Sequence, residues 1–184
     1  MTRIVAGSAK GRRLLVPGHG TRPTSERARE ALFSTLASYL DLAGTRVLDL
    51  YAGTGAVGLE ALSRGAKHAT FVERNRAALD ALRRNIAITG LEGAELVSSS
   101  VAAYLGLGSG QPFAFVFADP PYALSEAALT EVLRALADPR WTEPGAIVVV
   151  ERSTAGGVPD WPVDYEPIKQ KRYGQGMLWY GRRR

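Results

Sequence analysis

Residues 47–58 read VLDLYAGTGAVG, an apolar run that enters glycines and then a helix-forming stretch. Glycines let a backbone approach a ligand closely, and the first turn of a helix offers free N–H groups. Gly53-Thr54-Gly55-Ala56-Val57-Gly58 also fits the dinucleotide pattern G-x-G-x-x-G. Glu73 follows Gly53 by 20 residues at the end of the next apolar run, where a carboxylate can hold ribose hydroxyls. A nicotinamide dinucleotide and S-adenosylmethionine both satisfy this much. Asp49, four residues before Gly53, weighs toward S-adenosylmethionine. A carboxylate there repels a pyrophosphate, whereas S-adenosylmethionine carries an ammonium and a sulfonium and no phosphate. The structural alternative for Asp49 is a cap on the turn that follows it.

A second cluster, Asp119-Pro120-Pro121-Tyr122, directly follows the apolar run FAFVFA at 113–118. Two prolines fix φ and remove two N–H donors. The edge that remains is rich in acceptors, the Asp119 carboxylate and the Pro120 carbonyl. It suits a planar exocyclic amino group, which has two hydrogens to place. Tyr122 adds a ring on which a nucleobase can stack. A base inside a helix reaches such a pocket only after it is unstacked or flipped.

To bring these turns together the chain must alternate strands and helices. Strands are predicted at 45–50, 68–73, 94–98, 113–118 and 145–151, and helices from Ala56, over 76–89, near 101–105 and over 125–137. The strands are almost continuously apolar, as expected when helices cover both faces. The alternation implies an α/β fold: a doubly wound, Rossmann-like, mostly parallel sheet with right-handed crossovers. Ligands of such sheets sit at the carboxyl ends of the strands, which places both turns side by side. Residues 164–173 and 177–182 predict a C-terminal antiparallel hairpin around Gly174-Gln175-Gly176. At the other end, 3–6 and 12–16 predict an N-terminal β-hairpin extension around GSAKG. Pro23-Thr24-Ser25 then starts a helix, with Thr24 or Ser25 as N-cap and Ala28, Leu32, Phe33, Leu36, Tyr39 and Leu40 on one face. Arg27 and Arg29 fall elsewhere on it. The 184 residues suit one domain, with 1–22 as a basic hairpin arm and 23–184 as the helix and α/β core.

Composition narrows the chemistry. The absence of cysteine excludes a disulfide scaffold, thiolate metal sites and cysteine catalysis. Two histidines, His19 and His68, argue against a His-rich metal centre, read best as loop or surface residues, and no metal is expected. Trp141, Trp161 and Trp179 read as packing aromatics. No apolar run approaches the roughly 18 residues of a membrane span and the N-terminus has no signal-peptide core, so a cytoplasmic protein without membrane attachment is expected. With no strong exposed interface pattern, we expect a monomer.

The net charge of +5 is unevenly spread. Residues 1–30 carry seven basic side chains against two acidic ones, and 169–184 carry six with none. The middle, 31–168, holds ten basic and sixteen acidic residues. Two basic ends around an acidic body suggest a polyanionic partner, nucleic acid first. Lys10, Arg12, Arg13, Arg22, Arg27 and Arg29 form the candidate nucleic-acid grip. Arg22 and Thr24 are alternatively placed to close over the cofactor. Lys169, Lys171 and Arg172 read equally well as contacts or as solvated charge.

VLDLYAGTGAVG together with DPPY resembles the S-adenosylmethionine-dependent methyltransferases that act on exocyclic amino groups of nucleobases. RIVAGSAKGRRLLVP, TRPTSERAREALFSTL, LDLYAGTGAVGLEALSRGA, FVERN, ADPPY and YGQGMLWY extend the resemblance over essentially the whole chain, to the RsmD family. That resemblance implies methylation of N2 of one guanine, position 966, in 16S rRNA within an assembled or assembling small ribosomal subunit, with S-adenosylmethionine as methyl donor. It implies direct transfer without a covalent intermediate or a metal. Asp49, Ala52, Gly53, Thr54 and Gly55 would surround the amino-acid end of the donor, with Glu73, Arg74 and Asn75 at the ribose. Ser100 and Val101 would lie near adenine, although many relatives carry Asp or Asn at the place of Ser100. Asp119, Pro120, Pro121 and Tyr122 would form the guanine pocket. An adenine-N6 or DNA methyltransferase is the nearest alternative. A small NAD-dependent oxidoreductase lacks an evident catalytic Tyr-Lys or His pair and is opposed by Asp49. A non-catalytic RNA-binding protein is opposed by the intact D-P-P-Y turn.

Overall fold

The computed structural model describes residues 2–17, 24–108 and 110–184. A small hairpin, β1 (Thr2–Arg3) and β2 (Arg13–Leu14), precedes helix α1 (Glu26–Leu36). The alternating body follows as β3 (Arg46–Leu50), α2 (Ala56–Ser63), β4 (His68–Glu73), α3 (Arg76–Thr89), β5 (Ala94–Ser98), α4 (Val101–Leu107), β6 (Phe113–Ala118), α5 (Glu126–Leu136) and β7 (Thr142–Ser153). Strands β8 (Tyr165–Tyr173) and β9 (Gly176–Arg183) close the chain.

Seven strands form one sheet in the order β5-β4-β3-β6-β7-β9-β8. Strands β3 to β7 are mutually parallel, and β9 enters antiparallel between β7 and β8. From β3 the chain winds outward through β4 to β5, then returns to lay β6 on the other side of β3. The order therefore reverses between β3 and β6, the position at which an open α/β sheet leaves a crevice.

Alternate residues of the central strands feed two cores. Val47, Phe115, Phe117, Ile147 and Val149 face one layer, packed by α1, α2, α3 and the N-terminal hairpin. Leu48, Leu50, Val116, Val148 and Val150 face the other, packed by α4, α5 and Trp141. Burying apolar side chains of this size contributes roughly 1.5–3 kcal/mol each relative to exposure, enough to drive both layers together.

Helix starts follow local chemistry. Ser25, Asn75, Ser100 and Ser125 cap α1, α3, α4 and α5, each accepting the N–H three residues on. Helix α2 begins instead at Gly55, which has no side chain to cap with. Its first turn is left facing the crevice.

Three differences from the sequence expectation have simple causes. Helix α1 stops at Leu36, and Tyr39 and Leu40 pack from the turn beyond it. Strand β7 starts at Thr142, because an irregularity between the Phe113–Thr142 and Phe115–Ile147 pairs absorbs Pro144 and Gly145. The N-terminal hairpin has only two paired residues per strand, since side chains of the body take over its backbone bonding.

That docking is extensive. Glu60 of α2 is fully buried, and its carboxylate accepts the N–H groups of Val5 (2.8 Å) and Ala6 (2.9 Å) and the Arg64 guanidinium (2.9 Å). Ser63 donates to the Ala6 carbonyl (2.6 Å) and accepts from the Ala9 N–H (2.9 Å). A Cβ at Gly7 would lie 1.8 Å from the Ser63 carbonyl oxygen, so only glycine permits this approach. Asn85 of α3 accepts from the Leu15 N–H (2.7 Å) and donates to the carbonyls of Leu15 and Thr54 (3.0 Å each), joining the hairpin to the Gly-rich turn.

Arg29 belongs to this buried network. It is fully buried and donates to the Thr24 carbonyl (2.8 Å), the Thr2 hydroxyl (3.0 Å) and the Arg3 carbonyl. Glu60 lies 4.0 Å away. Its assignment to an RNA-facing surface is therefore corrected: one helical position decides whether an arginine faces solvent or the hairpin's carbonyls.

Removing a partner from a buried charged network typically costs about 3–5 kcal/mol. Glu60→Ala should lower stability by that order and expose the first 15 residues to limited proteolysis before the rest of the chain. A variant that melts and digests like the parent would refute this anchoring role.

Candidate active site

A cleft of about 1210 Å³ opens at the carboxyl ends of β3, β4, β6 and β7. The Gly-rich turn, the D-P-P-Y turn, the start of α1 and the β8–β9 turn surround it. Each approach to it has a local cause. Tyr51, immediately after β3, takes a positive φ of 57°, rare for a residue with a side chain. This turns the chain sharply so that residues 52–55 pass along the crevice. At Gly58 a Cβ would meet the Phe71 ring at 2.3 Å, so glycine lets α2 lie tightly on β4.

Asp49 is buried under this turn and accepts the Gly58 N–H at 2.9 Å. It thus does take the capping role for α2 that Gly55 cannot, while also lining the cleft. Burial pushes its carboxyl up to about 8, with Glu73 adding to the rise and the Gly58 bond opposing it. Glu73 ends β4 and is committed to the backbone. One oxygen accepts the Gly53 N–H (2.8 Å), and the other accepts the N–H groups of Arg74 (2.8 Å) and Asn75 (2.7 Å). This bridge fixes the Gly-rich turn against the start of α3. Ala52 and Gly53 are half-buried, Thr54 and Gly55 are buried, and Arg74 and Asn75 are exposed. Asn75 accepts the Ala78 N–H through its side chain (3.1 Å).

Ser100 lines the cleft, but its hydroxyl oxygen already accepts the Ala103 N–H (3.2 Å); Val101 beside it is buried. Asp119 leaves β6 into the cleft. Burial raises its carboxyl well above the carboxylate range, and Glu151 and Asp49 raise it further. Pro120 is buried, whereas Tyr122 is 77% exposed at the mouth.

Glu151, at the carboxyl end of the predicted strand 145–151, was not among the residues read as functional. It lines the cleft, accepts the Thr24 hydroxyl at 3.1 Å, and is raised by burial. The signal was available: like Glu73, it is the first charge after an apolar strand, on the carboxyl edge. Thr24 is thereby a neighbour of the site, and Arg27 and Arg172 also reach the cleft wall.

Lys10, Arg12 and Arg13 are exposed on the N-terminal hairpin, with Arg12 donating to the Ile88 carbonyl (2.9 Å). Arg22 and His19 lie outside the described residues. His68 is half-buried at the start of β4 against Thr70 and Glu95, at the opposite end of the strands from the cleft.

The donor set suits a cationic, phosphate-free nucleoside. The cleft floor offers carboxylates rather than a phosphate cradle, and the start of α2, whose N-cap Gly55 has no side chain, has an N–H already given to Asp49. Fold and site define an S-adenosylmethionine-dependent methyltransferase. The family model described as "Conserved hypothetical protein 95" matches residues 2–182, and the chain belongs to that family, the RsmD family. It is 38% identical over 174 residues, 94% of its length and 85% of the relative's, to "Ribosomal RNA small subunit methyltransferase D" of Escherichia coli K12. The protein of the same name from Haemophilus influenzae is 36% identical over 153 residues, covering 81% of this chain and 77% of that one. The structure of a hypothetical protein of Thermus thermophilus superposes with a TM-score of 0.83 at 33% identity, covering 98% of each chain.

An acid whose folded-state pKa is raised holds a proton that the unfolded chain has lost, so stability falls as pH rises between about 4 and 8. Asp49→Asn retains an acceptor for Gly58 and removes the charge. It should flatten this pH dependence and raise the melting temperature at pH 8 by several degrees. A lowered melting temperature at pH 8 would contradict it.

Proposed function

We propose that this enzyme methylates the exocyclic N2 of a guanine in ribosomal RNA, the guanine at position 966 of 16S rRNA, within a largely assembled small ribosomal subunit. The observation that carries the reading is the D-P-P-Y turn: a half-buried carboxyl at Asp119, a proline edge, and the exposed Tyr122 ring at the cleft mouth. The small-subunit rRNA methyltransferases of Escherichia coli and Haemophilus influenzae, with which the chain aligns over most of its length, support rRNA as the polymer.

S-adenosylmethionine, when bound, supplies an electrophilic methyl group on a sulfonium. Asp49, Ala52, Gly53, Thr54 and Gly55 hold its amino-acid end, and the Asp49 carboxylate faces the ammonium. Glu73 has acceptor capacity left beyond its three backbone bonds and takes a ribose hydroxyl, with Arg74 and Asn75 alongside. Ser100 and Val101 flank adenine, the second lone pair of the Ser100 hydroxyl serving the adenine amine.

Guanine N2 is a weak nucleophile because its lone pair is delocalised into the ring. Asp119 and the Pro120 carbonyl accept its two hydrogens, which returns electron density to nitrogen, and Tyr122 stacks on the ring. As the N2–C bond forms and the S–C bond of the sulfonium breaks to leave a neutral thioether, positive charge grows on that nitrogen; the acids at the cleft floor stabilise it until N2 releases one of its hydrogens as a proton. Positioning and electrostatics supply the catalysis. Lys10, Arg12, Arg13 and Arg27 grip phosphates, which sets affinity and orientation more than sequence choice. The protein acts as a monomer.

Incubation with radiolabelled S-adenosylmethionine and small subunits lacking the modification should place label in N2-methylguanosine. Asp119→Ala should lower turnover at least 100-fold while leaving donor affinity within about 3-fold. Label in N6-methyladenosine, or near-normal turnover of the variant, would overturn the reading of this pocket. Replacing Arg12 and Arg13 together by Ala should weaken RNA binding and reduce the slope of log affinity against log salt by about 1–2. An unchanged slope would remove the hairpin from the interface.

A further inference from the structure

The geometry points to Glu151 as the residue that selects guanine, by accepting the ring N1–H of the base whose N2 faces Asp119. The inference rests on the guanine-N2 reading above and assigns a second contact within that pocket. Its first support is position. Val150 of β7 is in register with Ala118 of β6, so Glu151 and Asp119 sit one step further along neighbouring strands, which run about 4.8 Å apart. Both side chains line the same cleft.

The second support is that Glu151 is held in place without being neutralised. The buried Thr24 donates its hydroxyl to one Glu151 oxygen at 3.1 Å. Thr24 is itself fixed, because its carbonyl accepts the buried Arg29 guanidinium at 2.8 Å. On the other side, a Cβ at Gly176 would lie 3.2 Å from the second oxygen, so the β8–β9 turn closes against the carboxylate. The adjacent Arg152 pairs instead with Glu126, and among the described residues Glu151 forms no ion pair. A half-buried acceptor, oriented by one hydroxyl and left without a cation, is an acceptor kept for a ligand hydrogen.

The third support is the chemistry of the base. Guanine presents N1–H and N2–H side by side on one edge, two donors for two neighbouring acceptors. Adenine presents a bare N1 at the same ring position, and a lone pair set against a carboxylate is repelled. A site built to accept a substrate N–H rejects the analogue that lacks it much more strongly than an apolar pocket rejects a size change. Asp119 alone cannot make this distinction, because adenine also carries an exocyclic amine. In this scheme Glu151 is the specificity residue and Thr24 the positioning residue behind it.

The test uses small subunits reconstituted with rRNA carrying either guanosine or 2-aminopurine riboside at the methylated position. 2-Aminopurine keeps the 2-amino group and lacks the N1 hydrogen. The parent enzyme should prefer guanosine by about 10- to 100-fold in kcat/KM, the size of one hydrogen bond to a charged group. Glu151→Ala should lose most of its activity on guanosine, change little on 2-aminopurine, and so bring the ratio toward one. Glu151→Gln, which keeps a neutral acceptor, should retain part of the preference, and the isosteric Thr24→Val should shift the ratio in the same direction by less. Donor affinity should stay within about 3-fold in all three, which separates loss of selection from loss of fold. Equal losses on both substrates, or a parent enzyme indifferent to N1–H, would overturn the assignment of Glu151. Label on a base other than guanine in the parent reaction would instead overturn the guanine-N2 reading beneath it.

Discussion

Three carboxylates, Asp49, Asp119 and Glu151, meet where parallel strands end, and among the described residues none of them forms an ion pair. Buried carboxylates without cations are costly, and these resist ionisation for two reasons acting together. Burial strips water from each, and for Asp119 the other two add repulsion. The sheet makes this arrangement possible because its order reverses between β3 and β6, leaving a crevice that no helix fills. The unfolded chain gains nothing from placing these groups together. The cost falls on the folded state, and a cationic ligand relieves it.

Such a site needs a rigid frame, and two polar residues supply much of it. Glu60 takes two backbone N–H groups of the N-terminal segment, and Asn85 ties that segment to the Thr54 carbonyl of the Gly-rich turn. Each is buried, and each spends its acceptors on N–H groups that would otherwise lack partners. The hairpin is consequently not a free arm. It is fastened across α2 and α3, and its outward Lys10, Arg12 and Arg13 stand in fixed relation to the Gly-rich turn. Arg29 belongs to the same network from the other side, through the Thr24 carbonyl.

Much of this was legible in the sequence because it depends on local pattern. The bounds of β4, α3, β5 and β6 follow directly from apolar runs and N-cap residues, and the position of both turns follows from the parallel topology those runs imply. What was not legible depends on pairing between distant segments. Arg29 reads as a surface charge in its helix, since nothing local announces that the carbonyl groups of residues 3 and 24 will surround it. Glu151 reads as the end of an apolar strand until the register of β7 against β6 brings it beside Asp119. Glu60 sits in AVGLEALS, where one acid on an otherwise apolar helix is the visible sign of a buried partner. The short pairing of β1 and β2 has the same origin, because side chains from α2 and α3 replace a ladder that the sequence alone would extend.

The distribution of charge gives the fold a way to sort what enters. The exterior near the hairpin and the C-terminal strands is basic, while the cleft floor is acidic. A polyanionic strand is drawn to the outer surface through its phosphates, in a manner weakened by salt. The three acids at the cleft floor offer those phosphates no cation. A neutral base turned out of its stack needs none, and a cation is favoured there. Under the function proposed above, the two charge classes separate the parts of one substrate: backbone held outside by Lys10, Arg12, Arg13 and Arg27, base admitted past Tyr122 to Asp119. A single net charge of +5 conceals this division. In that reading, charge reversal at either place fails for opposite reasons, since cations at the floor would hold phosphate in the place proposed for the base, and acids on the hairpin would repel the strand before any base could be presented.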